Sequence, residues 1–167
     1  MIVGGRPLVG TNGAGGEIGH ILANRQETDK CGCGKKGCLE QYASATGIAR
    51  LARIRLAKNN DMTLLRGQEI TAKAVFDALK EGDKVAEEIV EEFGAYLGYA
   101  LADVAAVIDP SMFIIGGGVS KAGPIIIQYV KKYFLEKAFF ANEGTEFIIA
   151  VLGNDAGICG AAKLILG

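Results

Sequence analysis

Apolar positions along the chain fall into two regimes. The first 38 residues show little sustained period, and the rest alternate between helical and strand-like runs. At the start, Ile2-Val3, Gly4-Gly5 and Leu8-Val9 read as a short hairpin, and residues 12–37 read as irregular structure. Leu39, Tyr42, Ala43, Ile48, Leu51, Ala52, Ile54 and Leu56, with Arg and Lys between them, predict two helices or one broken near Gly47. Residues 60–70 form a polar connector. Thr71 can cap a helix running to about Lys80 and stopped by Gly82.

Asp83 can cap the next helix, where Val85, Ile89, Phe93, Leu97, Leu101, Val104 and Ile108 step by three and four. Glu87, Glu88, Glu91 and Glu92 face away from that stripe, and the half from Ala95 to Ile108 is apolar nearly all round, which predicts burial. Pro110 ends the helix. Met112–Ile115 is a short continuous apolar run, as in a buried strand of a largely parallel sheet. A helix over Pro124–Lys137, a strand over Phe147–Leu152 and a helix over Gly157–Leu166 follow. That alternation predicts an α/β fold.

Composition sharpens this picture. Of 167 residues, 24 are Gly, about twice average usage. Eleven of them lie in residues 1–47 and four in 116–123, which marks two regions where backbone can approach a ligand or metal closely. A chain with 50% apolar and 22% charged residues is globular, and it has no apolar run of 18 residues to span a membrane. Net charge is −1 with no basic block, so no nucleic-acid footprint is expected. The opening MIVGGRPLVG lacks the features of a secretory signal, which suggests a cytoplasmic protein. It also starts abruptly on an apolar pair, as a piece of something longer would.

Chemistry concentrates in Cys31-Gly-Cys33-Gly-Lys-Lys-Gly-Cys38, with the only histidine, His20, upstream. Clustered cysteines on a Gly/Lys loop make a poor core, and without a secretory signal a disulfide framework is not expected. Iron–sulfur clusters usually take four cysteines. Three thiolates plus an imidazole suit tetrahedral zinc, so His20, Cys31, Cys33 and Cys38 are the candidate ligands of a structural Zn²⁺. Cys159, between Ile158 and Gly160, reads as a small core residue. Glu17 and Glu40 flank the loop. Two carboxylates and an imidazole held by a rigid loop can accept hydrogen bonds from several hydroxyls, as in a sugar site. Gly116-Gly117-Gly118 follows a strand and can bring backbone N–H groups to a phosphate or nucleotide, or simply make a packing turn.

Together, Gly13-Ala-Gly-Gly-Glu17-Ile-Gly-His20, Cys31-Gly-Cys33-Gly-Lys-Lys-Gly-Cys38-Leu-Glu40, Ile114-Ile-Gly-Gly-Gly-Val-Ser120 and Leu152-Gly-Asn-Asp-Ala-Gly157 resemble the ROK family of sugar kinases and sugar-responsive repressors. The wording is most similar to the family's bacterial glucokinases. The resemblance implies an actin-like ATPase (ribonuclease H-like) α/β lobe with packed helices and a zinc loop. It implies zinc on His20, Cys31, Cys33 and Cys38, and sugar hydroxyls on Glu17, His20 and Glu40, with Asn12 and Gly16 beside them. Gly116, Gly117 and Gly118 would pack against the ATP adenosine.

The family's first lobe carries an Asp-x-Gly-x-Thr phosphate loop and the general-base Asp. Neither occurs here in usable form, and Asn154-Asp155 belongs to the closing motif instead. Residues 1–167 are therefore expected to be the second lobe alone, with no catalytic residue of its own and no kinase activity in isolation. The intact enzyme would use ATP and Mg²⁺ to phosphorylate a hexose. Two other origins fit the same residues: the sugar-sensing lobe of a repressor, or a plain zinc-binding interaction module. An apolar patch where the other lobe would sit, and a homodimer, are further expectations.

Overall fold

The computed structural model describes residues 1–166. The chain opens on a hairpin of β1 (Ile2–Val3) and β2 (Arg6–Pro7), antiparallel with Ile2 opposite Pro7. The second strand thus falls earlier than the Leu8-Val9 pair, because Gly4-Gly5 closes a two-residue turn and fixes the register.

The break in the next helical run lies at Ser44, not Gly47. Helix α1 (Glu40–Ala43) ends where Ser44 turns extended (φ −90°, ψ 169°), and α2 (Ala45–Lys58) starts there. The Ser44 hydroxyl accepts the Gly47 N–H at 2.9 Å, so the residue that breaks one helix caps the next. Thr71 accepts the Ala74 N–H and starts α3 (Ala72–Lys80). Asp83 accepts the Ala86 N–H and starts α4 (Lys84–Ile108), and its carboxylate also takes the Thr63 hydroxyl and the Leu64 N–H. That bond set holds the 60–70 connector, which is not wholly polar: Leu65 is fully buried.

Helix α4 is the spine of the core. Ile89, Val90 and Phe93 meet Ile48, Leu51 and Ala52 of α2 and Val75 and Phe76 of α3. On another side lies α5 (Ile125–Lys137), with Ile126, Val130 and Phe134 fully buried. Each fully buried side chain of this size contributes about 1.5–3 kcal/mol.

The α4 stripe of acids is not uniformly solvated. Glu91 pairs with Lys132 and accepts the Tyr133 hydroxyl, so it ties α4 to α5. The second half of α4 is only partly buried, with Val107 83% exposed. Asp109 ends the helix in the left-handed region (φ 45°), one residue before Pro110.

Strand β3 (Met112–Ile115) pairs in parallel with β4 (Glu146–Ile149), Met112 opposite Glu146. The ladder ends at Ile149, so residues 150–152 of the predicted strand lie outside β4, which instead begins one residue earlier, at Glu146. Helix α5 forms the crossover, giving α/β architecture with one covered sheet face. Phe113, Phe134 and Phe147 pack there, ring centroids 5.0–5.9 Å apart. The other face is open, so β3 is not the buried strand its composition suggests: Met112 and Ile114 alternate outward. The last helix, α6 (Ala156–Leu166), leaves Ile158 72% exposed, and Cys159 is exposed rather than a core residue. Nothing among the described residues packs over that side of α6, so its apolar composition does not translate into burial. With Val151 and Leu152, these positions form exposed apolar surface. Among the described residues, no helix is long and apolar enough to cross a membrane.

Candidate functional site

Residues 17–38 are irregular by periodicity yet tightly bonded. Ile18–His20 forms a 3-10 turn, in which the His20 N–H reaches the Glu17 carbonyl. The chain then pairs with its own continuation. Leu22 lies opposite Cys38, Ala23 and Asn24 both donate to the Gly37 carbonyl, and Leu39 donates to Ile21. A second small pairing sets Lys30 opposite Lys36, with the Cys31 N–H on the Lys35 carbonyl and the Gly34 N–H on the Cys31 carbonyl. These two pairings bring sequence-distant ligands to one point.

The donor atoms of His20, Cys31, Cys33 and Cys38 all lie within 4.8 Å of one another. Cys33 Sγ and Cys38 Sγ are 3.5 Å apart, and Cys31 Sγ lies 3.9 Å from His20 Nδ1. Tetrahedral ligands at the Zn–S distance of 2.3 Å stand about 3.8 Å apart, so the four residues fit a zinc ion. The donor set agrees. Burial first, and then the neighbouring sulfurs, push the Cys38 thiol up to about 12. A zinc ion among these sulfurs would favour the thiolate form that binds it.

Glu40, the first residue of α1, joins this cluster. Its Oε2 accepts from Cys31 Sγ at 3.3 Å and lies 3.9 Å from His20 Nδ1. Its side chain remains half exposed, so the carboxylate can still meet a ligand. Glu17 opens the same 3-10 turn as His20 and is exposed. Asn12, exposed, and Gly16, half-buried, lie upstream on the same segment. Gly116, Gly117 and Gly118 are elsewhere, at the end of β3. There Ser120 closes the turn by donating to the Gly117 carbonyl at 2.7 Å. The turn faces α3 across a 130 Å³ groove between Gly118 and Val119 on one side and Ala72 and Phe76 on the other.

One polar cluster behind the loop has no signature in the sequence. Arg50 Nη2 binds both Glu27 Oε2 and Asp29 Oδ2 at 2.8 Å, and the Tyr42 hydroxyl donates to Glu27. Tyr42 stacks on Tyr96, and Asn24 donates to both hydroxyls. Burial works to raise the Glu27 carboxyl, but the Tyr42 and backbone hydrogen bonds and the Arg50 charge outweigh it and hold it at about 2. The cluster anchors the segment leading into Cys31 onto α1, α2 and α4. Residues 27 and 50 share no periodic relation, so only their meeting in space reveals it.

The sequence profile of the ROK family matches residues 1–167. A glucokinase of Halalkalibacterium halodurans is 41% identical over 170 residues, which cover 99% of this chain and 52% of that protein. The crystal structure of a ROK family glucokinase from Streptomyces griseus in complex with glucose and AMPPNP superposes with a TM-score of 0.86 at 35% identity. That match covers 98% of this chain and 55% of the other. A ROK family transcriptional regulator, a homologue of the E. coli MLC protein, superposes with a TM-score of 0.75 at 29% identity, covering 87% of this chain and 37% of its own. The chain spans about half the length of the curated relatives it matches. These likenesses carry the α/β, actin-like ATPase fold, and the chain belongs to the ROK family.

Proposed function

We propose that this chain is the second lobe of an ATP-dependent hexose kinase, the half that holds the sugar and one wall of the adenosine pocket. In the intact enzyme the reaction is ATP + glucose to ADP + glucose 6-phosphate. The observation that carries the reading is the sharing of His20 between a thiol cluster and a carboxylate. Its Nδ1 lies 3.9 Å from both Cys31 Sγ and Glu40 Oε2, in a chain 41% identical to a glucokinase.

In this reading His20, Cys31, Cys33 and Cys38 hold a structural zinc. Zinc supplies rigidity: it fixes the loop so that the 3-10 turn and the start of α1 keep one spacing. With Nδ1 turned to the cluster, the other ring nitrogen of His20 is left for a sugar hydroxyl. Glu17 and Glu40 accept hydrogen bonds from further hydroxyls, with Asn12 and Gly16 shaping the same wall. Gly116, Gly117 and Gly118 let the adenosine of ATP approach the backbone beside α3. Mg²⁺ offsets the phosphate charge in the whole enzyme, where catalysis is mainly positioning and electrostatics. The general base and most phosphate contacts belong to the other lobe, so the isolated chain is inactive, and a cytoplasmic homodimer is the expected setting. A second reading, the sugar-sensing lobe of a repressor, is supported by the TM-score of 0.75 to a ROK regulator.

Fusing the chain to the segment of the H. halodurans glucokinase that it does not match, and measuring glucose-dependent ADP release, tests the proposal. Turnover of about 1 s⁻¹ or more is expected from the fusion and none from the chain alone. A folded fusion that binds glucose without phosphorylating it favours the sensor. One that binds no glucose leaves only a zinc-binding interaction module.

A further inference from the structure

We propose that Gln41 is a positioning residue for the metal centre, its side-chain amide setting the distance between the two arms that carry Cys31 and Cys38. The inference rests on the reading of His20 and the three cysteines as a metal site. Gln41 is one of the few buried polar side chains of the structure, only 8% exposed. It sits on α1 directly after Glu40, and its two amide atoms face opposite arms of the loop. Oε1 accepts the Cys38 N–H at 3.1 Å, and Nε2 donates to the Asp29 carbonyl at 3.1 Å, two residues before Cys31.

The polarity of these partners fixes the amide. A flipped group would set a donor against an N–H and an acceptor against a carbonyl. No apolar side chain can make both bonds, and no backbone pairing replaces them. Cys38 lies opposite Leu22 in an isolated bridge, and Asp29 lies outside the Lys30–Lys36 pairing. The Asp29 side chain is pinned independently by Arg50, so the Asp29 carbonyl is a fixed post from which Gln41 holds Cys38. Because Gln41 and Glu40 share α1, the same amide relates the carboxylate to the cluster. Groups that orient metal ligands from outside the coordination sphere typically change metal affinity 10–100-fold when removed.

Two variants read the two bonds. Gln41→Met keeps length and volume but loses both bonds. Gln41→Glu keeps an acceptor for Cys38 and loses the donor to Asp29. Each variant is compared with the wild type at a temperature where circular dichroism shows it folded. Zinc dissociation constants come from competition with a chromophoric chelator, and site geometry from the thiolate charge-transfer and d–d bands of bound Co²⁺. The expected result is about 10–100-fold weaker zinc and altered cobalt bands for Gln41→Met, with Gln41→Glu between it and the wild type. Wild-type zinc affinity and cobalt spectra in the folded variants overturn the proposal, whatever their melting temperatures. A wild-type chain that binds no zinc overturns it together with the metal reading. Zinc binding without glucose binding leaves this proposal standing and removes only the sugar reading.

Discussion

Two glycines of the cysteine loop separate backbone conformation from close packing. Gly34 and Gly37 both take left-handed φ, 85° and 75°. A Cβ on Gly34 would meet nothing within 4 Å, whereas one on Gly37 would lie 1.9 Å from the Asn24 carbonyl oxygen. Gly34→Ala therefore costs only the left-handed strain, about 1–2 kcal/mol. Gly37→Ala adds an overlap that the backbone must relieve, about 1–3 kcal/mol more, for a total of about 2–5 kcal/mol.

At this chain length each kcal/mol shifts the melting temperature by about 2–4 °C, so Gly37→Ala should melt about 4–20 °C lower and Gly34→Ala about 2–8 °C lower. The displaced Asn24 carbonyl also pushes apart the 22–24 and 37–38 segments, which carry Cys38 toward His20, so zinc retention falls with Gly37→Ala and hardly at all with Gly34→Ala. Thermal melts at fixed zinc, paired with chelator competition, read both effects. Equal melting temperatures and equal zinc affinities for the two variants would refute the reasoning.

Two other outcomes follow from the same region. Glu27 has a folded pKa of about 2, below its ordinary 4.5, so its contribution is present above that ordinary value and is lost as pH falls toward 2. Tyr42→Phe removes a hydrogen bond to this carboxylate, which should cost about 1.5–3 kcal/mol at neutral pH and move acid unfolding to higher pH. Urea titrations between pH 7 and 3 check this, and an unchanged pH profile would show that the Tyr42 bond does not hold the carboxyl down. His20→Asn should weaken zinc retention and glucose binding together in chelator competition and calorimetry. Intact glucose affinity in that variant would refute the dual role of the imidazole.

The helical part of the fold was legible because it follows a 3.6-residue period and visible caps. Thr71 and Asp83 start α3 and α4 as their residue types suggest. Burial was less legible. The apolar runs of β3, α6 and the end of α4 look like core by composition. In the structure they present Ile114, Ile158 and Val107 outward, because a sequence does not say whether a second surface lies against an apolar face. The Ser44 break was hidden because a serine inside a helical run can either continue the helix or turn its hydroxyl onto nearby backbone, as Ser44 does with the Gly47 N–H and the Glu40 carbonyl.

At the candidate site the cysteine spacing and single histidine pointed to one cluster, and the structure gathers those four side chains. Glu40 joins them, whereas Glu17 only shares the His20 turn. The supports were invisible: Gln41, Glu27 and Arg50 are ordinary polar residues whose role comes from hydrogen bonds across 12 to 23 positions of chain.

The most direct test of a sugar clamp held in shape by its metal loop is calorimetric titration of the zinc-loaded chain with glucose, repeated after chelation and again after zinc is restored. Saturable binding that disappears with zinc and returns with it is predicted. Glucose binding of equal strength with and without zinc, or no binding by a folded, zinc-loaded chain, would contradict the account.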